Sequence, residues 1–181
     1  MTTPSQNQTR SLVYRLLLPF HTSEHLQSSD MSPSRKELLT SAQLFCEDFA
    51  NKEDITTLIS HFSTTHQVTA IEHGEAFLAP FLGRVFTGLA EVQKYFETIA
   101  SLLSYENMRF SEFVVDPEAR KAAMKGRAQF TWLSTGESWD ETFTYMLDFD
   151  EGNKVIRYQV WADSGAAYLA SRGKLDETRK N

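Results

Sequence analysis

The spacing of apolar side chains predicts helices in the first half of the chain. Ser34 and Glu37 have the spacing of a capping box, which marks the start of a helix. Apolar residues then recur every three or four positions, which is the repeat of one helix face, at Leu38, Ala42, Phe45 and Phe49. This pattern predicts a helix over residues 35–51. Shorter apolar series predict a second helix after Asp54, which can cap it, and a third after Gly88.

From residue 106 onward, apolar and polar positions alternate, and this period of two predicts β-strands. The segments between these strands are short and rich in Asp, Gly and Ser, so hairpins connect them and neighbouring strands run antiparallel. Gly126 interrupts one strand and predicts a bulge or a sharp bend. The predicted strands are 108–115, 122–133, 139–149 and 155–163, with an earlier one at 67–73.

Together these elements predict an α+β domain over 34–165, in which three helices lie on one side of a curved antiparallel sheet. Residues 1–33 are neutral and rich in Ser and Thr, which favours a flexible N-terminal extension. The same stretch carries Arg and has no acidic residue before Glu24, so a mitochondrial-type presequence is the alternative. Residues 166–181 are first apolar and then charged, which predicts a C-terminal tail that frays.

Composition and charge narrow the class of protein. The 181 residues are 41% hydrophobic, enough for a folded domain without disulfides, and the net charge of −6 argues against a nucleic-acid surface. The one cysteine, Cys46, suits a reducing compartment, so a cytoplasmic protein is expected. No apolar run is long enough to span a membrane. The histidines have no metal-ligand spacing, so neither a metal nor another cofactor is expected.

The order of elements resembles the nuclear transport factor 2-like superfamily, and within it the SnoaL-like polyketide cyclase and ketosteroid isomerase-like group. Two stretches support the resemblance: Phe81–Phe96, which leads into the third helix, and Gly152–Asp163, which includes the last strand. The resemblance covers about residues 35–165. It implies a cone-shaped sheet, often described as an α+β barrel, wrapped on three helices, with an apolar pocket at the open end.

The function implied by this resemblance is acid–base chemistry on a small molecule. We expect isomerisation, cyclisation or dehydration of an apolar polyketide- or terpenoid-like metabolite, as in secondary metabolism. Other proteins of this kind only bind a ligand or a partner, so a non-catalytic ligand-binding or dimerisation module is the alternative. The resemblance is also compatible with a homodimer formed through the outer face of the sheet.

Two candidate catalytic residues follow from the resemblance. His73 comes after Ile71 and Glu72, at a place where the isomerases carry a carboxylate base, so a histidine base is implied. The alternative is a strand-end histidine bonded to a backbone carbonyl. Asp163 ends the last strand at a place where related cyclases carry a cavity aspartate. The alternative is that Asp163 caps the turn that follows.

Glu141 and a set of large side chains complete the predicted pocket. Period two places Glu141 on the aromatic face of its strand, where an unpaired carboxylate is costly to bury. Glu141 therefore either has a functional role in the pocket, where a hydrogen-bonding or charged partner stabilises it, or lies on a face that is partly exposed to solvent. The predicted walls suit a flat aromatic ligand, although ordinary core packing is the alternative for each residue. These walls are Phe81, Met124, Phe130, Trp132, Trp139, Tyr145 and Trp161.

Overall fold

The computed structural model describes residues 34–180, so the predicted extension or presequence at 1–33 lies outside the described residues. No helix in the described part is long and apolar enough to cross a membrane. The elements follow the predicted order, with three additions: a short strand before the third helix and two helices at the C-terminal end. They are α1 (Arg35–Ala50), α2 (Ile55–Ser60), β1 (Thr69–His73), β2 (Phe86–Thr87), α3 (Leu89–Leu102), β3 (Leu103–Asp116), β4 (Lys121–Trp132), β5 (Ser138–Phe149), β6 (Val155–Trp161), α4 (Ser164–Ser171) and α5 (Leu175–Thr178).

The starts of the first three helices agree with the sequence signals. The Ser34 hydroxyl accepts a hydrogen bond from the Glu37 backbone N–H at 3.2 Å, and the Glu37 carboxylate accepts one from the Ser34 N–H at 2.8 Å. This confirms the capping box. The Asp54 carboxylate caps α2, and α3 begins directly after Gly88, whose φ of 89° suits glycine.

The six strands form one curved, unclosed sheet in the order β2-β1-β6-β5-β4-β3. Strands β3 to β6 make the predicted antiparallel meander. Strand β1 pairs with β6 in parallel, and the long connection through α3 and the meander makes this pairing possible. This pairing places the end of β1 beside the end of β6, and both ends contribute to the site described below.

The sheet bends through two bulges in β3. Its register against β4 shifts between Glu106 and Arg109 and again between Ser111 and Val114. Gly126 of β4 lies between these shifts, and its own ladder with β5 is unbroken. Of the two predicted alternatives, a bulge at Gly126 itself is therefore excluded, and the bulges lie in the facing strand β3. A glycine is needed there because the Phe143 ring occupies the space of a side chain: a Cβ on Gly126 would lie 2.2 Å from Phe143 Cε2.

Replacing Gly126 with Ala is expected to lower the free energy of unfolding by about 1–3 kcal/mol, the usual cost of overpacking a core. Urea denaturation of the variant and the wild type measures this difference. Adding Phe143→Leu removes the clashing ring, so the double variant should lose less stability than the two single losses predict. A Gly126→Ala variant as stable as the wild type would contradict the packing described here.

The core lies between the inner face of the sheet and helices α1 and α3. Aromatic rings dominate it and meet mostly edge to face, with Phe45 and Phe49 at 5.3 Å and Tyr145 and Tyr158 at 4.9 Å between ring centroids. Phe96 of α3 also packs on Phe49 at 5.4 Å. Phe49 also packs on Tyr145 of β5 at 5.9 Å and Phe96 on Tyr158 of β6 at 5.6 Å, and these two contacts attach the helices to the sheet.

The C-terminal segment is folded, so the prediction that it frays is wrong. Ala167, Ala170 and Leu175 are buried against the domain. The Glu137 carboxylate accepts hydrogen bonds from the backbone N–H groups of Leu175 at 2.8 Å and Asp176 at 3.4 Å, which caps α5. Glu137 belongs to the β4–β5 hairpin, so the sequence of the C-terminal segment alone does not show that its helix is capped. The charged residues of this segment therefore suggest fraying.

Candidate active site

A small cavity lies between the inner face of the sheet, α3 and α4. Its free volume is about 60 Å³, room for about two water molecules. The walls are mainly aromatic and aliphatic side chains, and the acidic residues among them are Glu72, Glu141 and Asp163. A site of this composition combines a low dielectric with a few titratable groups, the usual setting for acid–base chemistry.

Glu72 is the most deeply buried acid of the cavity. It lies on β1 with its side chain on the inner face of the sheet and is 9% exposed. The Tyr95 hydroxyl donates a hydrogen bond to Glu72 Oε2 at 2.9 Å. Burial raises the pKa of Glu72 to about 7; the bond from Tyr95 opposes this rise and the charge of Glu141 adds to it. Both protonation states are therefore populated near neutral pH.

Glu141 is held by one N–H donor on each carboxylate oxygen. Trp139 Nε1 donates to Oε2 at 2.5 Å, and the Asp163 backbone N–H donates to Oε1 at 2.6 Å. Burial raises the pKa of Glu141, these two donors oppose the rise, and the Asp163 charge adds to it. The side chain is fixed in orientation and keeps a carboxyl group at the cavity wall.

Three tyrosines pack beside Glu72 in the core. Tyr95, which donates to Glu72, lies 6.0 Å from Tyr158 between ring centroids, and Tyr158 lies 4.9 Å from Tyr145. Burial raises the pKa of each well above its usual value, so all three stay neutral. Tyr145 also lines the cavity. This ring packing fixes the position of Tyr95 and, through its hydroxyl, of Glu72.

The structure does not bring His73 into the cavity. Alternation along β1 turns Ala70 and Glu72 inward, so His73 lies on the other face of the sheet. There its Nε2 is 3.2 Å from Gln159 Oε1, and its ring stacks on Trp161 at 4.3 Å between centroids. Trp161 is 41% exposed on the same outer face. The predicted places of His73 and Trp161 in the pocket are therefore corrected: the inward carboxylate of this strand is the neighbouring Glu72.

Asp163 lies at the edge of the cavity, and its side chain caps the segment that follows, which was the predicted alternative to a catalytic role. Its carboxylate accepts a hydrogen bond from the Ala166 backbone N–H at 3.0 Å and caps α4. Its backbone N–H is the group that meets Glu141. The residue therefore links the start of α4 to the Glu141 carboxylate.

The predicted aromatic walls divide into two groups. Phe81, Phe130, Trp139 and Tyr145 line the cavity. Met124 and Trp132 are buried elsewhere in the core, which matches the alternative of ordinary packing. Trp132 has its own partner, since its Nε1 donates to Ser134 Oγ at 3.0 Å. The strand period predicts which residues lie on the inner face of the sheet, but the cavity occupies only part of that face. Some inward residues therefore pack in the core and do not line the cavity.

Sequence reasoning missed Glu72 and Tyr95 as site residues, although both carry a signal. Tyr95 lies between Val92 and Phe96 on the apolar face of α3, where a tyrosine needs a hydrogen-bond partner once it is buried. Glu72 shares its strand face with Ala70. The opposite face of β1 carries the larger apolar residue Ile71. In so short a strand, a count of apolar residues therefore predicts that the face with Ile71 and His73 turns inward, which is incorrect.

Comparison with known proteins gives similarity of structure only. No protein-family model and no curated protein matches the chain. An NTF2-like protein of unknown function from Burkholderia pseudomallei matches with a TM-score of 0.63 and 14% identity, over 74% of this chain and 96% of that chain.

Two fungal proteins match over similar lengths. AusH from Aspergillus nidulans has a TM-score of 0.55 and 25% identity, over 73% of this chain and 87% of its own. The BvnE pinacolase from Penicillium brevicompactum has a TM-score of 0.57 and 16% identity, over 81% of this chain and 99% of its own. In each case nearly the whole of the other chain is covered.

Proposed function

We propose that this chain, which has the nuclear transport factor 2-like fold, is an enzyme that isomerises, cyclises or dehydrates a small apolar metabolite by acid–base chemistry. The observation that carries the proposal is the buried pair of carboxyl groups, Glu72 and Glu141, in an apolar cavity. The apolar walls favour a polyketide- or terpenoid-like substrate with few polar groups.

In the proposed mechanism Glu72 carries the proton. The charge of Glu141 helps to raise the pKa of Glu72, so Glu72 takes up and releases a proton readily near neutral pH. Ionised Glu72 removes a proton from the carbon next to a substrate carbonyl, which leaves an enolate. Glu72 then returns this proton to another carbon of the enolate, which gives an isomer with all atoms conserved.

The surrounding groups position this pair. Tyr95 holds Oε2 of Glu72 and leaves Oε1 for the substrate. Trp139 and the Asp163 backbone hold Glu141. One of the similar structures is named a pinacolase, which supports an enzymatic role for a protein of this fold.

The proposal is tested by exchange of carbon-bound hydrogen, which needs no knowledge of the natural substrate. Proton NMR in D₂O follows the α-hydrogens of 2-tetralone, an apolar bicyclic ketone, with and without the purified protein. We expect the protein to accelerate exchange, and His73→Ala to exchange at the wild-type rate because His73 lies on the other face of the sheet. Exchange no faster than in buffer would reject the proposed chemistry.

A second candidate function is a ligand-binding module without catalysis. The observation that favours it is that the N–H groups of Trp139 and Asp163 occupy both oxygens of Glu141 and the Asp163 carboxylate caps α4, so these two acids are already bonded within the protein. The same protein sample distinguishes the two functions. Binding of an apolar phenol or ketone without any α-hydrogen exchange would select the binding module.

A further inference from the structure

A second apolar space lies directly outside the cavity. It is a groove of about 250 Å³ between α2, α3 and the start of β3, and most of its lining is apolar. Ligand sites for metabolites usually measure about 300–1,000 Å³. The cavity alone is far below this range, whereas the cavity and the groove together reach its lower end, about 300 Å³. We call the cavity the inner lobe and the groove the outer lobe.

The two lobes share one wall, because the same four side chains line both: Phe49, Ile99, Leu103 and Tyr105. Tyr105 is the polar member of this wall. Its hydroxyl donates to the Phe49 backbone carbonyl at 2.7 Å, a single bond across the wall. Lys52 lies over the Tyr105 ring at 5.6 Å and is paired with Glu106 at 2.6 Å, on the solvent side.

Tyr105 is suited to move. It is only half-buried, whereas the tyrosines on the other side of the inner lobe are almost completely buried. The register shift of β3 between Glu106 and Arg109 follows directly after it, and Asn107 within this shift has a φ of 55°. Rotation of its side chain breaks one hydrogen bond and leaves the β-ladder intact.

We propose that Tyr105 is a gate between the two lobes, and that the ligand is an elongated apolar molecule with a polar head in the inner lobe and a hydrocarbon tail in the outer lobe. This inference rests on the proposed function for the position of the head. The tail follows from the outer lobe, where Ile55, Leu58 and Phe96 offer apolar surface. Lys52 and Glu53 give that lobe a polar rim.

The test uses three phenols of increasing length: phenol, 4-propylphenol and 4-hexylphenol. Their hydroxyl group can meet the carboxyl pair, and their chains grow toward the gate. Calorimetry or tyrosine and tryptophan fluorescence measures each dissociation constant. In the wild type we expect the affinity to rise about two- to fourfold per added carbon, as burial of methylene groups predicts.

Two tryptophan substitutions on α3 separate the outer lobe from the rest of the surface. Ala100 lines only the outer lobe and is exposed, so Ala100→Trp fills that lobe without touching the inner one. Ser101 is exposed and lines neither lobe, so Ser101→Trp is the matched control. We expect Ala100→Trp to keep phenol affinity and to lose most of the gain from chain length, and Ser101→Trp to behave like the wild type.

Three outcomes would overturn the inference: no gain with chain length in the wild type, an equal gain in Ala100→Trp, or an equal loss in Ser101→Trp. Binding is measured without turnover, so its result is separate from that of the exchange assay. A two-lobed site with no α-hydrogen exchange would support the elongated ligand and reject the catalytic proposal. If the protein catalyses exchange but binds the three phenols with equal affinity, the catalytic proposal stands and the elongated ligand is rejected.

Discussion

Replacing Glu72 with Gln is expected to slow α-hydrogen exchange of 2-tetralone by about 10²–10⁴-fold, the usual contribution of a general acid or base. Gln has the same shape and can still accept the hydrogen bond from Tyr95, but it cannot take up a proton. Glu75→Gln is the matched control, because Glu75 lies three residues away and is exposed. We expect that variant to exchange at the wild-type rate.

The pH dependence of the rate adds a readout that a merely structural role of Glu72 would not change. A base with a pKa of about 7 makes the wild-type rate rise with pH until Glu72 is fully ionised. Glu141→Gln removes the charge that helps to raise this pKa, so any residual activity should reach its plateau at a lower pH. A Glu72→Gln variant with full activity would show that the proton is carried by another group.

The fold could be predicted from the sequence because its signals are local and repeated. The capping box at Ser34 and the apolar face of α1 needed no information from elsewhere in the chain. The alternation along β3 to β6 likewise fixed the meander. The similar structures confirm this level of description, since they share the fold over nearly their whole length.

The candidate site could be predicted only in part, because it depends on which strand face turns inward. Glu141 was found, since four aromatic neighbours mark its face of a long strand. Strand β1 has five residues, and neither of its faces is clearly apolar. Its parallel pairing with β6 decides the orientation, and that contact joins residues about 90 positions apart, such as Thr69 and Arg157. No local pattern reports such a pairing. The sequence pattern therefore assigns the inward titratable side chain of β1 to His73, whereas the structure assigns it to Glu72.

Glu72 is also expected to lower the stability of the protein at neutral and alkaline pH. Its pKa is about 7 in the folded chain and near the ordinary 4.5 in the unfolded chain. Between these values the folded state binds more protons than the unfolded state, so the free energy of unfolding falls as the pH rises. A difference of this size corresponds to about 3 kcal/mol once both states are ionised.

Glu72→Gln removes this penalty, because an amide stays neutral at every pH. We expect the variant and the wild type to have similar stability near pH 4.5, and the variant to be more stable by up to about 3 kcal/mol at pH 8. Urea denaturation at both pH values measures the change, with Glu75→Gln, at an exposed position three residues away, as the matched control. An equal stability difference at the two pH values would contradict the raised pKa. A substitution that stabilises the fold and abolishes exchange would indicate that this buried acid is kept for its chemistry at the expense of stability.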